Sequence, residues 1–211
     1  MKITKIKEDI TSEIASSFKN SIAIDTEATG LQIPERDKLS LIQICDESGN
    51  VFIIQPNKNN FKAPNLVSVL ENEKILKIGH FLRFDKNALE FFLKCKMKNI
   101  FDTKIASKIV RTYTDSHGLK NLVQEFCNKN LDKRQGSSDW NKDINDLSDK
   151  QLEYAANDVI YLHKIKSELE KMLIRENRMD LFKSCINFLS TRIELDQSAG
   201  NDNDSNSTPK C

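Results

Sequence analysis

The chain lacks an excess of charge of either sign: 32 Lys and Arg stand against 31 Asp and Glu, a formal net charge of +1. That balance excludes a polybasic nucleic-acid coat and an acidic solvating tail, so any charged partner has to be met by a local patch. Long apolar runs are absent too. The longest, Val51–Ile54, is far below the ~18 residues needed to span a bilayer, and mean hydropathy is −0.51. Met1–Lys5 leads into no apolar stretch, so no secretory signal is expected, and the chain reads as a cytoplasmic protein with no membrane contact. Five cysteines (Cys45, Cys95, Cys127, Cys185 and Cys211) include no C-x-x-C pair. Their odd count and wide spacing argue against a zinc cluster or a disulfide framework. Beside apolar neighbours such as Ile44 and Phe126 they read as buried, reduced thiols. No internal repeat is found.

What is present suits one domain. The 211 residues are enough to bury roughly 70% of the extended-chain surface. Composition changes once, at Gln197–Cys211, where Ser, Asn, Asp, Gly and Pro replace apolar residues. The expected division is therefore a domain over 1–196 and a disordered polar tail over 197–211. Ser21–Glu27 is an apolar run ending in acids, the pattern of a central strand with an exposed carboxyl end. Leu39–Ile44 and Asn50–Ile54 flank the turn-rich Asp46–Gly49 and form an expected hairpin. Lys74–Gly79 reads as a further strand. From Phe84 onward the period is helical, with later helices expected over 103–110, 119–126 and 147–173, the last opened by a capping box at Ser148 and Gln151. Strands followed mainly by helices indicate an α/β layer fold with a mixed sheet and a helical C-terminal part.

Four acids stand out. Asp25 and Glu27, two apart on a strand, leave the same face, at the solvated strand end where α/β sheets host sites. Asp85 follows strand 74–79 by a short turn, which in a parallel arrangement puts it at the same sheet edge. Asp158 is i+4 from Tyr154, so phenol and carboxylate share a helix face. A carboxylate on that apolar face is costly unless a cation or donor satisfies it. Taken singly, each has an ordinary explanation: a solvated strand end, a helix N-terminal charge, a salt bridge. Taken together, four gathered carboxylates repel unless divalent cations neutralise them. Hard oxygen ligands select Mg²⁺ or Mn²⁺, and two such ions can clamp the attacking and leaving oxygens of an in-line phosphoryl displacement.

Three segments carry a resemblance. Ile24-Asp25-Thr26-Glu27 with Thr29-Gly30-Leu31 is similar to the first motif of the DEDD 3′→5′ exonuclease superfamily. His80-Phe81-Leu82-Arg83-Phe84-Asp85 resembles its second motif, and Tyr154-Ala155-Ala156-Asn157-Asp158-Val159 its third, in the tyrosine variant. Ser138-Asp139-Trp140 followed by Leu147–Leu152 resembles the lead-in of ribonuclease D. Two departures are visible: many relatives carry a small or amide residue where Phe81 stands, and only 38 residues follow Leu173, so a short form without the helical nucleic-acid-binding domains of larger members is expected. The resemblance implies a ribonuclease H-like fold and two-metal hydrolysis releasing nucleoside 5′-monophosphates from an RNA 3′ end. Structured RNA such as tRNA precursors is the expected substrate. By position, Asp25, Glu27, Asp85 and Asp158 would be the metal ligands and Tyr154 would orient the attacking water. The histidine variant of the superfamily has its histidine five residues before the last aspartate, where this chain has Glu153.

Softer candidates surround this set. Thr29 and Leu31 sit where relatives contact terminal nucleotides. His80 either touches a phosphate, orders Asp85, or is structural. Arg83, Lys133 and Arg134 either meet phosphates or form a solvated face. Trp140 is either a stacking platform for a base or a core anchor. The expected partner is a single-stranded RNA 3′ end. The alternatives are a DNA-directed exonuclease on the same scaffold and a non-catalytic nucleic-acid-binding module.

Overall fold

The computed structural model describes residues 2–30, 32, 33, 37–131 and 138–201. In chain order these form β1 (Lys2–Lys7), α1 (Ser12–Ser17), β2 (Ser21–Ala28), β3 (Leu39–Cys45), β4 (Asn50–Gln55), α2 (Pro64–Glu71), β5 (Leu76–Gly79) and α3 (Leu82–Leu93). They continue with β6 (Ile100–Asp102), α4 (Thr103–Val110), α5 (Leu119–Cys127), α6 (Asp149–Asn157), α7 (Leu162–Arg175) and α8 (Met179–Asn201). The strands make one mixed sheet ordered β1-β4-β3-β2-β5-β6. β2, β3 and β4 pair antiparallel, whereas β1 joins β4, and β5 joins β2 and β6, in parallel.

Alternation along the central strands decides what covers each sheet face. Ile22 and Ile24 of β2, Ile42 and Ile44 of β3 and Ile54 of β4 pack with residues of α2 and α3, including Leu66, Ala88 and Leu89. The intervening Ala23, Leu41, Cys45, Val51 and Ile53 join Ala106, Val123, Ala155, Ile165 and Leu169 from α4, α5, α6 and α7. Helices therefore cover both faces of the sheet, as expected for an α/β layer fold. Helix α8 touches both cores, giving Phe182 to one and Leu189 and Ile193 to the other. Among the described residues, Cys45, Cys95, Cys127 and Cys185 are free thiols, and the first two are buried. No helix among the described residues is long and apolar enough to cross a membrane.

Three expectations are corrected. The helix read over 147–173 is two helices, because the chain turns between Asn157 and Leu162, so Asp158 caps the end of α6 and does not lie deep within a helix. The predicted strand 74–79 is shorter, Leu76–Gly79. The boundary placed after residue 196 falls inside α8, which continues to Asn201 and is tied down there: Gln197 donates to Asn87 Oδ1 at 2.9 Å. Residues 202–211 lie outside the described residues. The capping box stands as read, with Gln151 N–H on Ser148 Oγ (3.3 Å) and Ser148 N–H on Gln151 Oε1 (3.1 Å).

Candidate active site

The carboxyl ends of β2 and β5 lie side by side because the two strands run parallel, with Ala23 opposite Ile78. Asp25 and Glu27 leave the β2 face shared with Ala23, toward α6, while Thr26 leaves the opposite face toward α3. There the Thr26 hydroxyl donates to Asp85 Oδ1 at 2.5 Å and fixes that buried carboxylate. From the α6 side, Asp158 completes a group of three: carboxylate oxygens of Asp25, Glu27 and Asp158 all lie within 4.8 Å of one another. The pairing register of β2 with β3 shifts between Glu27 and Ala28, an irregularity of the kind that re-aims side chains beside a site.

So many acids in a half-buried place cannot all ionise at ordinary pH without a counter-charge. Burial, then the nearby Asp85, Asp158 and Glu27, push Asp25 well above the usual carboxylate range. Burial, then Asp158 and Asp85, raise Glu27 to about 8. Asp85 is raised chiefly by burial, against the opposing pull of the Thr26 hydroxyl. Tyr154 stands beside the group with its ring 6.0 Å from that of Trp140, at an interplanar angle of 31°. Burial and the carboxylates of Asp158, Glu27 and Asp25 push its phenol above the usual value, so the hydroxyl keeps its proton at neutral pH. Clustered, raised carboxylates with only oxygen donors are the chemistry of a hard divalent-cation site.

A cleft of about 670 Å³ opens over these groups. Thr29, His80 and Trp140 line it, as do Phe81, Phe84 and Ser138. The Thr29 hydroxyl accepts from Lys38 N–H at 2.9 Å, which holds it at the rim. The hydroxyl of Thr103 donates to Gly79 O (3.1 Å), so it accepts from His80 Nδ1–H (2.9 Å) and sets the ring's orientation. Trp140 is only 4% exposed and packs in the core beside Tyr154, at the edge of the cleft. The Arg83 guanidinium makes a two-point pair with Asp196 of α8 at 2.7 Å, which links α3 to α8. Leu31, Lys133 and Arg134 lie outside the described residues.

Some participants were not anticipated from sequence. Asp102 is 1% exposed and its carboxylate accepts backbone N–H groups of Phe81 (3.2 Å), Leu82 (2.8 Å), Lys104 (2.8 Å) and Ile105 (3.0 Å), joining the N-termini of α3 and α4. An Asp-Thr step ahead of a helical period is an N-cap signal, which could have revealed the α4 half of this role. Gln43, directly across the strand pair from Asp25, is fully buried, and its side-chain amide has no hydrogen-bond partner among the described residues. A Gln in an apolar strand gives no such signal.

A mixed sheet in this order, covered by helices on both faces and carrying acids at its edge, is the ribonuclease H-like α/β arrangement. The chain belongs to the 3′-5′ exonuclease family, whose model matches residues 3–174, and it is ribonuclease D-like. It is 35% identical over 159 residues to ribonuclease D of Haemophilus influenzae, covering 74% of this chain and 38% of that protein. Over 152 residues it is 34% identical to DNA polymerase I of Aquifex aeolicus, covering 71% of this chain and 24% of the polymerase. The chain thus spans less than half the length of these curated relatives. Among solved structures, Brucella melitensis NrnC is 41% identical with a TM-score of 0.88, covering 99% of this chain and 100% of that one.

Proposed function

We propose that this protein is a metal-dependent 3′→5′ exoribonuclease that hydrolyses RNA from its 3′ end and releases nucleoside 5′-monophosphates. The observation that carries the reading is the carboxylate group, Asp25, Glu27 and Asp158 within 4.8 Å of one another, with Asp85 close enough to raise Asp25 and Glu27. This donor set fits two hard cations, Mg²⁺ or Mn²⁺, and a structure of the related B. melitensis NrnC with bound Mg²⁺ supports that choice. When bound, such cations would supply the Lewis acidity for an in-line phosphoryl displacement. The four carboxylates would hold them, and Thr26 keeps Asp85 aimed for the purpose. Tyr154, protonated and braced by Trp140, holds the attacking water by hydrogen bonding. Thr29 and His80 form the walls against which the 3′-terminal nucleotide is positioned. Another structure of NrnC, bound to pGG, supports an oligonucleotide end as what the cleft receives. Single-stranded 3′ ends of structured RNAs, such as tRNA precursors, are the proposed natural substrate.

The likeness to a DNA polymerase favours one second reading, in which DNA is the substrate, since the carboxylates act on the phosphodiester and not on the sugar. Digesting matched 3′-tailed RNA and DNA with Mg²⁺, Mn²⁺ or EDTA decides between them. RNA should shorten one nucleotide at a time, stop with EDTA, and lose at least ~10³-fold in rate with Asp25→Asn, Glu27→Gln, Asp85→Asn or Asp158→Asn, because each removes a ligand. Faster shortening of DNA would establish the second reading. Undiminished cleavage by the Asp85→Asn variant would remove Asp85 from the site.

A further inference from the structure

Phe81 combines features that core packing does not produce together. It precedes α3 in a left-handed conformation, φ 65° and ψ 52°, a region that bulky L-residues seldom adopt. The residue is 47% exposed, on the wall of the cleft that holds Asp25, Glu27 and Asp85. One ring face carries the Lys104 ammonium, 4.1 Å from the centroid. The arrangement is enforced from beneath. Asp102 binds the backbone N–H groups of Phe81 and Lys104 with the same carboxylate, so the two backbone segments are held side by side. Backbone strain persists where the surroundings over-determine it, and ligand clamps are among the places where it gathers.

We propose that Phe81 and Lys104 form a clamp for one nucleotide of the substrate: its base stacks on the open face of Phe81, and its phosphate meets the Lys104 ammonium. An aromatic face suits an enzyme that must shorten any sequence, because every base has a π-face. The ammonium, held against the Phe81 ring, brings positive charge next to a cleft rich in carboxylates. This deepens the exonuclease reading of the cleft and rests on it.

The test measures kcat and KM on a short single-stranded RNA and on two copies of it, abasic at the last or at the penultimate nucleotide. Phe81→Ala should raise KM on the intact RNA by about 5- to 150-fold, the range for one stacked base, with kcat changed about threefold or less, and Phe81→Trp should restore KM. On one abasic RNA the wild type and Phe81→Ala should have the same KM, because the base that Phe81 holds is gone. Phe81→Asn, a side chain that tolerates the left-handed region, should lose the same affinity while its Tm stays at or above that of the wild type, which separates lost binding from lost folding. Lys104→Ala should make the log–log salt dependence of KM shallower by about 0.7. An unchanged KM in Phe81→Ala and Phe81→Asn, or penalties that multiply on both abasic RNAs, would overturn the clamp, and an unchanged salt slope would remove Lys104 from it. If the wild type shortens neither RNA nor DNA, the exonuclease reading itself fails, and that is seen before any variant is made.

Discussion

At the scale of single residues, the site is built from groups whose charge state depends on what they surround. Glu27 ionises at about 8 in the folded protein against an ordinary 4.5, mainly through burial and then through Asp158 and Asp85. A raised acid contributes stability that is complete below 4.5 and is lost as pH rises toward 8, because the unfolded chain gives up the proton first. EDTA-treated protein should therefore lose Tm between pH 5 and 8. Added Mg²⁺ should restore more of it at pH 8 than at pH 5.5, since a ligand of the folded state stabilises by mass action; a Tm shift equal at both values would contradict this. Tyr154 offers a different test. Its hydroxyl is proposed to touch the water and not the nucleotide, so Tyr154→Phe should lower kcat by roughly 10²–10⁴ with little change in KM. Full activity in that variant would leave Tyr154 only its packing against Trp140.

At the scale of elements, the acids were legible because each sits where local pattern is strongest. Asp25 and Glu27 end an apolar run, and Tyr154 and Asp158 share one helix face. What could not be read is where the backbone departs from pattern. The turn after Asp158 passes through Val159, Ile160 and Tyr161, with neither Gly nor Pro to announce it, and tertiary packing decides it. β6 has three residues, too few to show a period, and β1 alternates weakly among lysines. The left-handed Phe81 is equally silent, since nothing in an aromatic side chain signals positive φ. Helix α8 begins beyond residue 174, where the family match ends, yet Leu189 and Ile193 reach the core behind α3 and Asp196 grips Arg83. Ile193→Ala should accordingly cost about 2–5 kcal/mol of stability. Urea unfolding would show it, and a loss below about 0.5 kcal/mol would mean that α8 packs only loosely.

For the whole molecule, a net charge of +1 and a cleft walled by carboxylates leave little long-range attraction for a polyanion. Grip should come from the last nucleotides, through about two to four phosphate contacts, which gives a log–log salt slope of roughly −1.5 to −3. A slope much steeper than −3 would reveal a phosphate-binding surface away from the cleft. The sheet has a separate consequence, for survival in a crowded solution. Its two borders are β1 and β6, and open borders invite another molecule to add its own strand. β6 is too short to serve as a template, and β1 carries Lys2, Lys5 and Lys7, the last paired with Asp143; charged side chains of this kind discourage strand addition at a border. Resistance to aggregation is thus vested in lysines remote from the chemistry, and changing them to valine would threaten the lifetime of the protein while leaving its carboxylates untouched.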